Sequence, residues 1–418
     1  PAGGCRRPEI ERMRREMLVD SEFRRYTAMQ PRSADRLQGL QHKIVRIASM
    51  NAHAFTAGPT ADAVVGDPSG TSVEWGALFV LGSKAEHSCA PNLRFVTDGG
   101  MLRYMAEVPI SRGDRLSISY AKSVLQTPRK ERREFLQENK AFLCRCSRCL
   151  GMDECSPLRC DACGDGILFR AGSEKKWWCV SSCGWDADGQ RGISAQVRSK
   201  ESLANQIDFL RGSLQYGIDE DTLPKVMVEQ GVVAKICHPL HWLHISAWDL
   251  VSIAASSLAQ CLMMEGVPPS APQIAGLLRL SATCQLHQIL WTERAAAIVY
   301  GSLDLKDAVA DSQNEDLLQV NFSDNTDEVS RLLDLICEPK QRPRTNCTEV
   351  SQTVFHAGQD LLVAGHNILA CQLYTCYEAM FLSSHGILSA KNKESFRALV
   401  HSGGKKNYFN NHLLTSQP

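Results

Sequence analysis

The sequence lacks an excess of charge of either sign and lacks long hydrophobic runs. Its 418 residues include 46 Lys and Arg against 46 Asp and Glu, so the formal net charge is zero. Because a field of one sign attracts partners of the other, this balance gives no reason to predict direct nucleic-acid binding. No apolar run approaches the roughly 20 residues that a membrane span needs. We therefore predict neither a membrane nor a nucleic-acid partner.

The chain also lacks an initiator methionine, because it begins at Pro1. We expect that a targeting segment or other N-terminal sequence is missing before it. Cysteine is plentiful without reaching the density of a disulfide scaffold, with 17 in the chain, and eight of them fall between Cys144 and Cys183. That clustering favours metal binding in a reducing compartment, so we expect an intracellular protein of the cytoplasm or nucleus.

Three cysteines share one short turn in the sequence FLCRCSRC, at Cys144, Cys146 and Cys149. Short cysteine spacings on a turn place several sulfurs around one point, and zinc takes four thiolates in a tetrahedron. The alternative is disulfides or free core thiols, but a Cys-x-Cys pair closes a strained ring and three thiols are an odd number. We predict a zinc site that needs a fourth ligand from elsewhere.

A second cysteine pattern follows, with one pair spaced by two residues and another by three. Such pairs facing one metal across a hairpin are typical of a zinc ribbon. The predicted ligands are Cys160, Cys163, Cys179 and Cys183. The side chains expected to shield this small site are Trp177, Trp178 and Trp185. Cys155 is left over, and we interpret it as a spare thiol.

Three motifs occur in a fixed order: EHSCAPN from Glu86, GDRLSISY from Gly113, and the cysteine turn after Phe142. Together they resemble the C-terminal half of a SET domain and its post-SET segment, of the SET-and-MYND lysine methyltransferase type. The resemblance covers roughly residues 44–150, and the order and spacing are specific where each motif alone is weak. It implies that Cys89 completes the post-SET zinc site, giving about two zinc ions in all.

The resemblance implies a protein-lysine methyltransferase that uses S-adenosylmethionine and acts on a protein or peptide, histone or non-histone, with a target lysine. Transfer from a sulfonium requires a neutral amine aligned behind the methyl group and the exclusion of water. Because the reference pKa of lysine is about 10.4, the site must favour the deprotonated amine. We predict that the Tyr120 hydroxyl aligns it; the alternative is a core tyrosine at a strand end.

The resemblance places Asn51 and His87 along the cofactor and Phe142 against its adenine ring. His87 is alternatively a structural residue of the pseudoknot that SET domains form. Glu86 stands near the cofactor where the family has asparagine, and Lys140 where it often has a second tyrosine. No Gly-x-Gly cofactor strand and no MYND cysteine-histidine module precede residue 40. These departures favour an alternative function, a catalytically inactive, zinc-stabilised interaction scaffold. A disulfide-rich secreted protein is a more distant alternative.

We predict an α+β protein in four parts. Residues 1–138 are a SET-type β domain with its N-terminal part missing and a helical insert at about 9–48, and residues 139–150 are the post-SET zinc segment. Residues 151–195 are a zinc ribbon, and residues 196–418 are an all-α domain of tetratricopeptide-like shape. The arginine-rich helix at residues 9–26 presents either a solvated face or a basic patch for a partner.

The periodicity of the last part predicts six successive amphipathic helices. They are residues 243–264, 274–290, 295–309, 328–337, 350–363 and 366–381. The small pairs Ala357-Gly358 and Ala364-Gly365 indicate close helix contacts. His238, His241 and His244 near a predicted helix start are either packing and capping residues or a metal trio.

Overall fold

The computed structural model describes residues 53–56, 74–98, 101–121, 126–160, 162, 167–170, 177–180, 191–214, 218, 221–299, 326–337 and 348–377. These residues form an α-rich protein with small β-sheets. The chain divides into two compact units, residues 1–121 with 132–144, and residues 122–131 with 145–418. The helices predicted at residues 9–48 lie outside the described residues. The four-part division of the chain stays a prediction.

In the residues that the structure describes, the first unit contains three two-stranded sheets. Its strands are β1 (His53–Thr56), β2 (Glu74–Ala77), β3 (Glu86–His87), β4 (Leu93–Asp98), β5 (Met101–Ala106) and β6 (Ser117–Ile118). β1 pairs antiparallel with β2 and β4 with β5, whereas β3 and β6 pair in parallel. The β4–β5 register brings Asp98 opposite Met101, so the predicted hairpin at this point is confirmed.

Asn92 joins the first two motifs of the sequence. Its side-chain oxygen accepts a hydrogen bond from the Ser117 amide at 2.8 Å, and its amide nitrogen donates to the Arg115 carbonyl at 2.8 Å. An asparagine side chain offers both an acceptor and a donor, so one residue can bond a backbone N–H and a backbone C=O together. The parallel β3–β6 pair therefore has side-chain support beside its short ladder.

The apolar sequence WGALFVL at residues 75–81 predicts a buried strand or a short turn, and the structure departs from that prediction. Only Glu74–Ala77 form a strand, and Val80 and Leu81 are 77% and 86% exposed. A 3₁₀ turn at Gly82–Lys84 follows at once, and the Ser83 hydroxyl donates to the Val80 carbonyl. The local turn thus directs these apolar side chains outward. β6 is also shorter than the strand predicted at residues 116–120.

The helix α1 (Arg129–Lys140) matches the helix predicted before the cysteine turn. Ala141 follows it with φ +59°, a left-handed conformation that costs a non-glycine residue about 1–2 kcal/mol. A one-turn helix α2 (Ser147–Leu150) carries the last cysteine of the turn. Ala141 therefore sets the direction in which the chain leaves α1.

The second unit contains a small antiparallel sheet and seven longer helices in its described part. The strands are β7 (Leu158–Arg159), β8 (Ile167–Arg170) and β9 (Trp177–Cys179). The helices are α3 (Arg191–Leu214), α4 (Thr222–Ile236), α5 (Leu243–Met264), α6 (Pro272–Val299), α7 (Thr326–Cys337), α8 (Thr348–Val363) and α9 (Asn367–Cys376). The predicted helical region is thus helical where it is described, and its tetratricopeptide-like shape stays a prediction.

One expectation about these helices is wrong. The predicted break near residue 291 is absent, because Trp291, Thr292 and Glu293 are buried within the continuous helix α6 and no proline interrupts it. One described helix, α5, is long and apolar enough to cross a membrane by length and composition. However, Trp248, Leu250 and Val251 of α5 lie in the core that α5 shares with α3, α4 and α6. That packing accounts for its hydrophobicity.

The expected small-residue contact is confirmed at Gly358 and not at Gly365. A Cβ atom added to Gly358 would meet ring carbons of Tyr374 at 2.1 and 2.2 Å. Gly365 has open space around it and φ +86°, and serves as the turn after α8, where glycine is preferred. A disulfide between Cys337 and Cys376, which the sequence analysis did not predict, joins α7 and α9.

Candidate metal centre and catalytic site

Four cysteines form one cluster at the cysteine turn. The sulfur atoms of Cys89, Cys144, Cys146 and Cys149 all lie within 4.8 Å of one another. Cys89, Cys144 and Cys149 are 2% exposed or less, and Cys146 is partly buried. The local spacing of the turn supplies three sulfurs, and the EHSCAPN segment supplies the fourth. The cluster is the one such group in the described part of the chain.

The geometry of the cluster fits a tetrahedral ion. Four sulfurs at about 2.3 Å from zinc lie about 3.8 Å from one another. The Sγ atoms of Cys89 and Cys144 are 3.9 Å apart, and none of the four cysteines is in a disulfide. Arg133 donates from Nε to the Cys144 carbonyl at 3.1 Å, which fixes the backbone of one ligand. These residues could hold one metal ion.

His87 connects the cysteine cluster to the predicted catalytic tyrosine. The backbone N–H of Tyr120 donates to Nδ1 of His87 at 3.0 Å, so Nδ1 is the acceptor and Nε2 carries the proton. Nε2 lies 3.3 Å from the Cys89 sulfur, within reach of a hydrogen bond to a thiolate. The ring also lies beside Phe142, with centroids 5.7 Å apart. His87 thus makes contacts with Tyr120, Cys89 and Phe142, and both its contact with a cofactor and its role in a pseudoknot stay predictions.

The Tyr120 side chain is half-buried with its hydroxyl tied to the backbone. The hydroxyl donates a short hydrogen bond to the Ala85 carbonyl, and the ring meets Phe142 edge-on at 6.4 Å. Burial, and then the charge of Glu86, raise the pKa of Tyr120 above its ordinary value. The phenol therefore stays protonated at neutral pH, which leaves its oxygen lone pairs as acceptors. Such a group orients an amine better than it deprotonates one.

The two residues that depart from the family pattern lie at this same place. Glu86 is exposed and pairs with Arg115 at 3.2 Å, a surface ion pair worth about 0–1 kcal/mol. Nζ of Lys140 lies 5.9 Å from the centroid of the Tyr120 ring. The described residues thus bring together four of the predicted positions around Tyr120, whereas Asn51 lies outside them. The roles of these residues stay predictions.

The predicted zinc ribbon is described in part. Cys160 and Cys179 lie in one small core with Leu168 of the central strand, and Cys179 is the register partner of Leu168. Trp177 packs against this core, but Trp178 is 49% exposed and does not shield it. The other expected members, Cys163, Cys183 and Trp185, lie outside the described residues. A second zinc ion therefore stays a prediction.

The leftover thiol and the histidine trio have ordinary structural partners. Cys155 is buried in the helical core and accepts from Arg148, whose guanidinium also pairs with buried Glu154. His238 and His241 accept backbone N–H groups through Nδ1 at 3.2 and 3.3 Å, as capping residues do. Burial lowers the pKa of His238 to about 3 and that of His244 to about 4. The trio is not among the groups positioned for a metal in the described residues.

Two side-chain contacts of the first unit were not predicted from the sequence. Tyr104 donates its hydroxyl to the Gly82 carbonyl at 2.7 Å, much as Tyr120 does to Ala85. Arg94 and Glu107 form a buried ion pair at 3.6 Å in the same unit. Arg94 is the register partner of Met105, so Glu107 is its diagonal neighbour two positions further along. Diagonal positions on paired strands are within reach of long side chains, and opposite charges at such positions are the signal that would have suggested the pair.

Comparison with known proteins finds similarity over a limited part of the chain. A SET and MYND domain-containing protein of Dictyostelium discoideum is 39% identical over 77 residues, which are 18% of this chain and 18% of that protein. A putative SET domain-containing protein of Acanthamoeba polyphaga mimivirus is 33% identical over 78 residues, 19% and 30% of the two chains. The protein-lysine N-trimethyltransferase SMYD5 of Homo sapiens is 36% identical over 80 residues, 18% and 19%. No family model matches the chain.

The chain thus spans at most 30% of the length of these three relatives. Their names are those that the motifs predict from the sequence: SET domain, SET and MYND domain, and protein-lysine methyltransferase. The resemblance predicted from the three motifs is confirmed by these matches. Over about a fifth of its length, this chain is similar to SET-domain proteins of the SET-and-MYND type.

Proposed function

We propose that this chain carries the lysine-binding half of a protein-lysine methyltransferase that uses S-adenosylmethionine. The observation that carries the proposal is the arrangement of Tyr120, His87 and Phe142 beside the cysteine cluster. Relatives named as protein-lysine N-trimethyltransferases and a histone-lysine N-methyltransferase support the same reaction class. They do not favour the alternative of an inactive scaffold.

S-adenosylmethionine supplies the methyl group when bound, and the residues of this chain position the amine that receives it. Because the Tyr120 hydroxyl uses its proton on the Ala85 carbonyl, its oxygen can accept an N–H from a lysine amine. That bond fixes the direction of the nitrogen lone pair, which an in-line transfer requires. The hydroxyl remains protonated because burial raises its pKa.

Lys140 contributes a positive charge at the same tyrosine. Its ammonium lies 5.9 Å from the centroid of the Tyr120 ring, and a like charge disfavours a second ammonium nearby. The charge therefore opposes entry of a protonated lysine and favours the neutral amine that the reaction consumes. The departure from the family pattern at this position is thus compatible with catalysis.

The cysteine cluster holds the site together in this proposal. With zinc bound, Cys89 joins the EHSCAPN segment to the cysteine turn, which follows Phe142 closely in the chain. The Nε2–H of His87 would then donate to the Cys89 thiolate, which would fix the orientation of the imidazole ring. The Nδ1 atom of the same ring accepts the backbone N–H of Tyr120, so the position of Tyr120 would be fixed as well. Loss of the metal should therefore loosen Tyr120 and Phe142 together.

The test compares Tyr120→Phe with Tyr104→Phe in the complete natural protein. Each variant loses one hydroxyl that donates to a backbone carbonyl, so each should lose about 1 kcal/mol of stability. Methyl transfer from labelled S-adenosylmethionine to lysine peptides should slow about 10²-fold in Tyr120→Phe. Tyr104→Phe should keep nearly the parental rate. Equal rates for the two variants would refute the role of Tyr120, and an inactive parent protein that retains its zinc would favour the scaffold.

A further inference from the structure

A polar cavity of about 480 Å³ lies among helices α5, α6 and α8 of the second unit. Its volume is within the range of ligand sites. Ile253 is the one aliphatic side chain in its described lining, and the rest are hydroxyl, amide, imidazole and carboxylate groups. The acidic residues are Asp249 and Asp360, and no described lysine or arginine lines the cavity. Its lining is therefore rich in hydrogen-bond acceptors.

The wall of the cavity is organised by the amide of Gln285. The two N–H groups on its Nε2 are shared among three acceptors, which are the Ser252 hydroxyl at 2.9 Å, the Ser281 hydroxyl at 3.2 Å and the Asp360 carboxylate at 3.2 Å. The two serine hydroxyls also bond to each other at 2.9 Å. The nitrogen of Gln285 is thus fully used, and the orientation of its amide group is fixed by three acceptors.

The oxygen of the same amide has no partner. Gln285 is 8% exposed, and its Oε1 is a buried acceptor without a hydrogen bond. A buried acceptor left unsatisfied costs about 1–3 kcal/mol. Because the amide cannot turn without losing its existing hydrogen bonds, this oxygen can accept a donor from a molecule bound in the cavity, as it can from water.

Asp360 supplies a carboxylate beside this acceptor. Among the described residues no lysine or arginine pairs with it, whereas Asp249 at the same cavity pairs with Arg211 at 3.3 Å. Burial raises the pKa of Asp360 to about 6, although the hydrogen bonds from Ser281 and Gln285 lower it. A cation bound beside Asp360 would compensate the charge that burial disfavours.

We propose that this cavity binds a guanidinium group, as carried by an arginine side chain of a peptide or by a small free guanidine. A guanidinium is planar, permanently charged and carries five N–H donors in a fork, so it can bond a carboxylate and a neighbouring amide oxygen together. It is more weakly hydrated than an ammonium, which suits entry into a half-buried site. Arg211 shows the same chemistry nearby, because it bonds the Asp249 carboxylate and the Ser246 carbonyl. The site goes beyond the proposed methyl transfer and does not depend on it.

The test is a binding titration of the full chain, in which binding is measured by calorimetry and by NMR. The probes are N-acetyl-arginine amide, which is blocked as in a peptide, agmatine as a free guanidine, N-acetyl-lysine amide, and N-acetyl-citrulline amide. Citrulline keeps the planar shape and loses the charge. The protein variants are Asp360→Asn and Gln285→Leu. Asp334→Asn is the matched control, because it removes an exposed carboxylate of α7 that is outside the cavity lining.

We expect the arginine probe to bind and to shift resonances of the cavity residues. Asp360→Asn and Gln285→Leu should each weaken binding of the arginine probe about 10- to 100-fold. The citrulline probe should bind the parent protein more weakly than the arginine probe by a similar factor. Asp334→Asn should change nothing, and circular dichroism should show that all variants remain helical. Tighter binding of the arginine probe would identify a peptide as the natural source of the guanidinium group, and tighter binding of agmatine would identify a small free guanidine. Absent binding, equal binding of arginine and citrulline, or unchanged binding in Asp360→Asn would overturn the proposal.

Discussion

Replacement of Gly358 by alanine tests the packing of the helical unit most directly. Gly358 lies on α8 against the ring of Tyr374 on α9, a side chain that is 2% exposed. The added methyl group would lie 2.1 Å from one ring carbon and 2.4 Å from the phenolic oxygen. Ordinary van der Waals contacts of a Cβ atom are 3.4–4 Å long, so the ring has to move by about 1 Å or more.

The cost can be worked out from the contacts of the ring. Overpacking a core by one methyl group costs about 1–3 kcal/mol. Movement of the ring also weakens the hydrogen bond from the Tyr374 hydroxyl to the Phe355 carbonyl, at 3.0 Å, by about 1 kcal/mol. Alanine returns about 1 kcal/mol through its higher helix propensity. The expected net loss of unfolding free energy is therefore about 1–3 kcal/mol.

Gly231→Ala is the matched control, because Gly231 is inside α4 and a Cβ atom there meets nothing within 4 Å. That variant should gain about 1 kcal/mol from helix propensity alone. In urea unfolding monitored by circular dichroism at the helix band, the unfolding midpoint of Gly358→Ala should be lower than that of the parent protein. The midpoint of Gly231→Ala should be higher. Two variants that shift in the same direction would show that α8 and α9 do not pack as described.

Three further perturbations test the sites. Cys89→Ser should remove about one zinc ion per chain by elemental analysis, whereas Cys261→Ser, outside the cluster, should remove none. The His87→Phe variant should still bind zinc, but its affinity for zinc in competition with a chelator should fall about 10- to 100-fold, because the hydrogen bond to the Cys89 sulfur is lost. Burial raises the pKa of Asp360 from 3.8 to about 6, so its contribution to stability is present below pH 4 and is lost as pH rises through 6. Asp360→Asn should therefore stabilise the protein by about 1–3 kcal/mol at pH 8 and not at pH 3.5, as measured by urea unfolding at the two pH values. An equal effect at both pH values would contradict the burial of that carboxyl group.

The cysteine cluster shows how far the sequence alone could lead. The spacing of Cys144, Cys146 and Cys149 places three sulfurs on one turn by local geometry, so these residues are predictable without any fold. Cys89 is separated from Cys144 by 55 positions, and only the resemblance to a known family nominated it. Local periodicity likewise located most of the helices, because helix formation depends on neighbours three and four residues apart.

Features that depend on contacts between distant residues could not be predicted. The hydroxyl of Tyr120 bonds to a carbonyl 35 positions away, and no spacing rule selects that partner. Val80 and Leu81 look buried by apolarity, yet a local turn exposes them. The Cys337–Cys376 disulfide spans 39 positions, so only the packing of two helices reveals it. Hydrophobic pattern determines which faces are buried on average, and tertiary contacts decide the individual cases.

The left-handed conformation of Ala141 links the last turn of α1 energetically to the metal centre. If the cysteine turn relaxes when the ion leaves, about 1–2 kcal/mol of backbone strain is released with it, and this release favours the metal-free state. Glycine at the same position would carry no such strain, so Ala141→Gly should bind the ion about 5- to 30-fold more tightly in a chelator competition. An unchanged affinity would mean that the strain persists without the metal. By this reasoning the strain at Ala141 lowers the affinity of the cysteine cluster for zinc, and the position of Phe142 is lost when the metal leaves.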